Sequence, residues 1–247
     1  MIIVLLIITA VLAIVGWTAP KSWTTRIIAG SFGLVLTLGV VIMLTLNFTH
    51  HWGMQKVTTT TTKRIYTAGQ TSSPAGILVV KPLGTAKDTY IMVYRHKPTQ
   101  KQATAHFVPN TKQLVNAAKT TAVYHYASVK HATITTKTTR WQWRSKNFKR
   151  LLNVGDQSGE LVQKQATVKL PKKTWIALTA TQIKRVQKSQ KSTPSSTASQ
   201  AALKQVLTKK VAQYMKEHPT ATTTQLKAYQ QELTAELAIK SIKATLK

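Results

Sequence analysis

The sequence predicts a membrane α-helical hairpin joined to a β-rich (α+β) domain and closed by a C-terminal α-helical hairpin. Three observations predict it. Two apolar runs, MIIVLLIITAVLAIVGW and IIAGSFGLVLTLGVVIMLTLNF, fill most of residues 1–49. Residues 50–186 are rich in Thr, Val and Tyr and alternate in short apolar stretches. Residues 201–247 return to a helical period after a polar linker at 187–200.

The first run, residues 1–17, carries no charged side chain. At ~1.5 Å per residue it covers about 25 Å, slightly short of a ~30 Å hydrocarbon layer. The second, residues 27–48, covers about 33 Å and spans comfortably. Trp17, Trp23 and Trp52 flank the runs where interfacial anchors belong. Gly16 or Gly33 would let the helices approach closely, and Pro20 sits in the break between them. A cleaved signal peptide fits poorly, because no basic stretch precedes the first run and a second long run follows it. Lys21 and Arg26 lie in the very short connecting loop, which favours a cytoplasmic loop with both termini outside.

All but two of the 35 Lys and Arg residues, and all six acids, lie beyond the second run, which leaves that region at +27 with His neutral. Such a charge predicts attraction to anionic lipid headgroups or phosphate-bearing wall polymer, and does not select a fold. Nucleic-acid binding would rest on charge alone, with no recognition signature to support it. There is no Cys, hence no disulfide, thiolate nucleophile or Cys-based metal site.

Within residues 50–186 the strand signals fall in order. Residues 57–66 (VTTTTTKRIY) read as a β-branched strand in preference to a flexible or glycosylated stalk. Residues 77–81, 88–96 (DTYIMVYRH) and 103–108 follow, with a short helix or turn at 111–119. Residues 121–129, 132–144, 161–170 and 174–179 continue as strands, and 151–154 forms a brief apolar run. The fragments TTTTK and TITTK, and later VKPL and VKLP, echo one another and suggest two related β units. In the tail, Leu203, Leu207, Val211, Tyr214 and Met215 line one helical stripe and Leu226, Tyr229, Leu233 and Leu237 another, with Pro219 between. These stripes need cover from each other, the β domain, another subunit or a membrane surface.

The most distinctive short stretch is RWQWR at 140–144. On a strand, Trp141 and Trp143 share one face and Arg140, Gln142 and Arg144 the other. The ordinary reading is a Trp-bearing packed face with a cationic exterior. The functional reading is contact with an anionic surface, where Trp sits at headgroup level and Arg pairs phosphate. Lys56, Lys63, Arg64, Arg140, Trp141, Trp143 and Arg144 are the candidate contacts. No HExxH, GxSxG, SxxK or Walker-type motif occurs, so no catalytic, cofactor-binding or metal residue is assigned. Asp156 and Glu160, in a Gly-bearing turn, are the one conceivable carboxylate pair for a hydrolase of wall material, and His125 with His131 the one conceivable metal pair.

The opening run, the segment NFTHHWGMQKVTTTTTKRIY and the later TTRWQWR together resemble a family of two-span membrane proteins of unknown function from lactic acid bacteria. The likeness covers the hairpin and the β region. It implies a Gram-positive membrane location and, since such proteins are sometimes encoded beside drug-efflux transporters, an accessory role in a transporter or envelope complex. It implies no site residue. The sequence therefore predicts a non-enzymatic envelope protein whose partners are the bilayer, anionic wall polymer or a membrane transporter.

Overall fold

The computed structural model describes residues 1–84, 89–155, 157–192 and 197–246, with side chains placed outside 190–203. The chain forms two compact units. One comprises residues 1–59 with 138–164, the other residues 60–137 with 165–247.

The first unit opens on α1 (Ile2–Thr18) and α2 (Trp23–His50), packed as a hairpin. The second helix starts four residues before the apolar run. Ser22 is extended at its N-terminus, and Arg26 Nε donates to the Pro20 carbonyl at 2.6 Å, closing the loop over the first turn. Close helix approach is built from glycine, as the small-residue rule for apolar helices requires. A Cβ on Gly16 would lie 2.8 Å from the Ala29 carbonyl carbon, and one on Gly33 2.5 Å from Ala13 Cα. Gly30, facing the Trp17 ring, belongs to the same seam, whereas Gly39 has open space. Away from the seam the hairpin is apolar and bare: Ile3, Ile7 and Ile14 of α1 and Phe32, Val35 and Ile42 of α2 are exposed. By length and composition α2 can cross a membrane, and α1 is a shorter apolar helix. The second helix stops where His51 turns left-handed (φ 55°), with Trp52 N–H bonded to the Leu46 carbonyl. Buried Asn47 completes that turn, its Nδ2 donating to the Trp52 carbonyl at 2.8 Å.

Among the described residues eight strands follow: β1 (Met54–Arg64), β2 (Gly76–Pro82), β3 (Tyr90–Tyr94), β4 (Thr104–His106), β5 (Thr120–Ala127), β6 (Thr133–Trp143), β7 (Leu161–Pro171) and β8 (Trp175–Leu178). One sheet has the order β1-β6-β7-β5, the other β4-β3-β2-β8. The Thr-rich run is strand, stitched to its neighbour by hydroxyl pairs: Thr58 to Thr139 at 2.8 Å and Thr62 to Thr135 at 3.0 Å. Helix α3 (Leu114–Ala118) occupies the place where a short helix or turn is predicted. Asp88, with which the predicted third strand begins, lies outside the described residues. The echoed fragments fall on strands with different neighbours. The VKPL strand, β2, pairs with β3 and β8, while the VKLP strand, β7, runs between β6 and β5.

In the second unit, alternation on β2 and β8 builds two cores. Leu78 and Val80 of β2, with Met92 and Tyr94 of β3, pack against Ile134, Val168 and Leu170 of the other sheet. The opposite face of the same strands carries Ile77, Ile176 and Leu178. That face is covered by Ile183 of α5 (Ala180–Ser192) and by Ile239 and Ile242 of α7 (Thr223–Leu246). The β2–β8 pair is parallel, with Leu78 opposite Ala177. Apolar groups on both faces are what a strand between a sheet and helices requires. Helix α6 (Thr197–Glu217) packs on α7, with Tyr214 stacked on Tyr229 at 4.1 Å. The helical tail thus finds its cover partly in itself and partly in the β domain.

Three helices depart from the sequence reading. Helix α5 runs through Gln187–Ser192, the first part of the predicted linker, and α6 takes up its last four residues from Thr197; residues 193–196 lie outside the described set. Helix in the described part of this segment follows from α5 continuing out of the turn anchored by Ile183 and Val186, which the polar sequence does not signal. Helix α4 (Lys146–Leu152) replaces the predicted apolar run at 151–154.

Burial of Tyr94 pushes its phenol up to about 12. The folded state therefore holds this proton more tightly than the unfolded chain, whose tyrosine titrates near 10. The stabilisation is complete below pH ~10 and is lost as pH rises towards ~12, with a ceiling of about 3 kcal/mol. Alkaline unfolding followed by tyrosinate absorbance should show this loss, and Tyr94→Phe should flatten the slope between those two pH values.

Candidate anionic-surface site

The candidate contacts divide between the units. Lys56, Arg140, Trp141, Trp143 and Arg144 belong to the first, Lys63 and Arg64 to the second.

In the first unit, the start of α1 and the end of α2 lie at the same end of the hairpin. Ile2 and Leu152 are fully buried there and share an apolar cluster with Val40, onto which Trp143 and Phe148 pack. The N-terminal ammonium approaches the Arg150 carbonyl at 3.5 Å. Helix α4 makes this seat. Ser145 caps it, its Oγ accepting from Phe148 N–H at 3.3 Å. Phe148, Leu151 and Leu152 then fall on one face at helical spacing and turn inward, while Lys146, Lys149 and Arg150 stay exposed. The Arg144 backbone N–H donates to the Gly53 carbonyl at 3.0 Å, and its side chain is exposed. Trp52 meets Phe148 edge-on at 5.4 Å. The result is a collar of cations and aromatic rings, carried by α4 and its flanks, at one end of an apolar hairpin.

Trp141 has other company. Its ring stacks on His51 at 4.2 Å with planes 8° apart, and Lys56 Nζ lies 5.2 Å from its centre. His51 Nε2 reaches Glu160 at 3.4 Å, and Arg140 donates to the Gly159 carbonyl at 2.6 Å. Trp141 and Arg140 thus bind their own unit, whereas Arg144 presents its charge to solvent. The strand alternation read from RWQWR holds: Trp141 and Trp143 are half-buried, Gln142 and Arg144 exposed. Of the conceivable hydrolase pair, Asp156 lies outside the described residues.

In the second unit, Arg64 lies over Tyr66 at 5.5 Å on the rim of a cleft of about 970 Å³. Arg95, Lys130, His131, Lys172 and Lys173 also line it. Desolvation, then Arg64 and Lys130, hold His131 below its ordinary value. Lys173 is raised by its hydrogen bond to Glu232, 3.1 Å away.

Sequence reasoning missed both α4 and Arg95. The signal for α4 was present: a Ser followed at three, six and seven positions by Phe, Leu and Leu. Arg95 gave none, since an arginine ending an apolar strand reads as an ordinary exposed terminus.

Residues 22–186 match the family described as Domain of unknown function (DUF4811). No curated protein and no solved structure matches the chain.

Proposed function

The chain belongs to the DUF4811 family, a family of unknown function, and from that premise we propose that it is a non-enzymatic, membrane-anchored envelope protein. In this reading α1 and α2 both enter the bilayer, the loop holding Lys21 and Arg26 faces the cytoplasm, and the region beyond α2 is extracytoplasmic. The basic collar then meets anionic headgroups, and other exposed cations meet wall polymer.

The observation that carries this reading is the collar itself. Exposed Arg144, Lys146, Lys149 and Arg150 stand on or beside α4, which packs at the end of a hairpin whose outer faces are bare and apolar. A soluble surface has no reason to place these two features together, whereas a bilayer interface rewards both. A cation near an anionic leaflet contributes about 1 kcal/mol, falling away within a Debye length of about 8 Å.

The test uses the full-length protein. It should resist alkaline extraction from membranes and, in mild nonionic detergent, should retain phosphatidylglycerol in preference to phosphatidylcholine. The triple variant K146E/K149E/R150E should lose that preference while staying in the membrane. Recovery of the protein in the soluble fraction without detergent rejects the anchor. An unchanged lipid preference in the triple variant rejects the collar.

A further inference from the structure

We propose that the cleft of the second unit is a binding site for a phosphate ester of a sugar or polyol, with Arg95 as its buried cation. This deepens the reading of the protein as one that contacts anionic envelope material, and rests on it.

The argument begins with Arg95. It stands just past the end of β3, only 8% exposed. Its guanidinium donates to the carbonyls of Thr67 and Gly69, the latter at 2.7 Å, and more weakly to that of Lys101 at 3.5 Å. Its Nε–H has no acceptor, and no carboxylate pairs with it among the described residues. A guanidinium never sheds its proton in a protein. A charge withdrawn from water without a counter-ion costs several kcal/mol, and carbonyl dipoles offset part of that. An anion held in the cleft that Arg95 lines would offset more of it.

The surroundings select the sign of the ligand. Arg64, Lys130 and Lys172 line the same cleft as Arg95. Among the described residues the one acid on the wall is Glu232, and it is engaged by Lys173. With His131 neutral, the lining carries a net formal charge of +4. Desolvation first, and then the charges of Arg64 and Lys130, lower the proton affinity of His131.

The walls select its body. Tyr66 and Trp175, both half-buried, line the cleft, and a side chain at Gly76 would run into the Trp175 indole. The cleft is of the size that takes a small ligand or one unit of a polymer. Several cations suit a phosphate group, and flat rings suit the C–H face of a sugar or polyol.

Calorimetric titration of the full-length protein in nonionic detergent with sn-glycerol 3-phosphate provides the test, with glycerol as the neutral control. The expected result is saturable binding of the phosphate and none of glycerol. The double variant K130Q/K172Q changes only exposed side chains and should weaken binding about tenfold or more. Arg95→Gln should abolish it, and a melting curve will show whether that variant is folded. The source is read by competition: soluble poly(glycerol phosphate) displaces the probe if the site takes polymer, and phosphatidylglycerol bicelles displace it if the site takes a headgroup. Absence of saturable binding overturns the proposal, as does equal binding by K130Q/K172Q. Because the collar residues lie outside this cleft, failure here leaves the lipid preference intact, and the two readings fail separately.

Discussion

Gly33→Leu is expected to spread the N-terminal hairpin and to lower the melting temperature of the full-length protein in mild detergent. At this position α1 passes so close that even a methyl group would sit 2.5 Å from the Cα of Ala13. The obstacle is backbone, so no rotamer change relieves it, and the helices must separate along the seam that Gly16 and Gly30 share. Overpacking of this kind costs about 1–3 kcal/mol or more, which for a chain of this length is a shift of roughly 5 °C. Gly39→Leu is the matched control: it makes the same change on the same helix, with nothing within 4 Å of the new atom. Equal melting temperatures for the two variants would rule out the glycine seam as the determinant of hairpin packing.

Leu78→Ala is expected to be the most damaging single truncation in the β region. Leu78 is completely buried at the middle of the second sheet, with β3 on one side of its strand and β8 on the other. Its side chain joins Met92, Val168 and Leu170 between the two sheets. Loss of its methyl groups leaves a cavity that flanking strands cannot close without breaking register, at about 2–5 kcal/mol. The urea midpoint should fall accordingly with an unchanged slope. Lys81→Ala on the exposed end of the same strand should stay within about 0.5 kcal/mol of wild type.

Most of the architecture was legible because the residues that direct it act locally. Six successive β-branched residues, 57–62, make β1 a strand whatever it packs on. Uncharged runs make α1 and α2 helices, and their glycines foretold a close crossing. The parts that escaped are those decided by packing at a distance. Helix α5 is too polar to announce itself, and acquires its conformation from Ile183 and Val186 docking. Neither the division of the sequence-derived contacts between two units nor the cleft could be read, because both depend on which strands become neighbours. Arg95 is the sharpest case. Its burial follows from carbonyls at 67, 69 and 101, none of which carries a side-chain signal.

The outward side of the β2–β8 pair has a bearing on how far the folding unit extends. The family match ends at residue 186, yet the lid over Ile77, Ile176 and Leu178 is drawn largely from Ile239 and Ile242, some fifty residues further on. A fragment trimmed to the matched boundary would leave a greasy strip of sheet open to water. Such a piece should self-associate during expression, so the C-terminal helices belong with the β region in any shortened version of this chain.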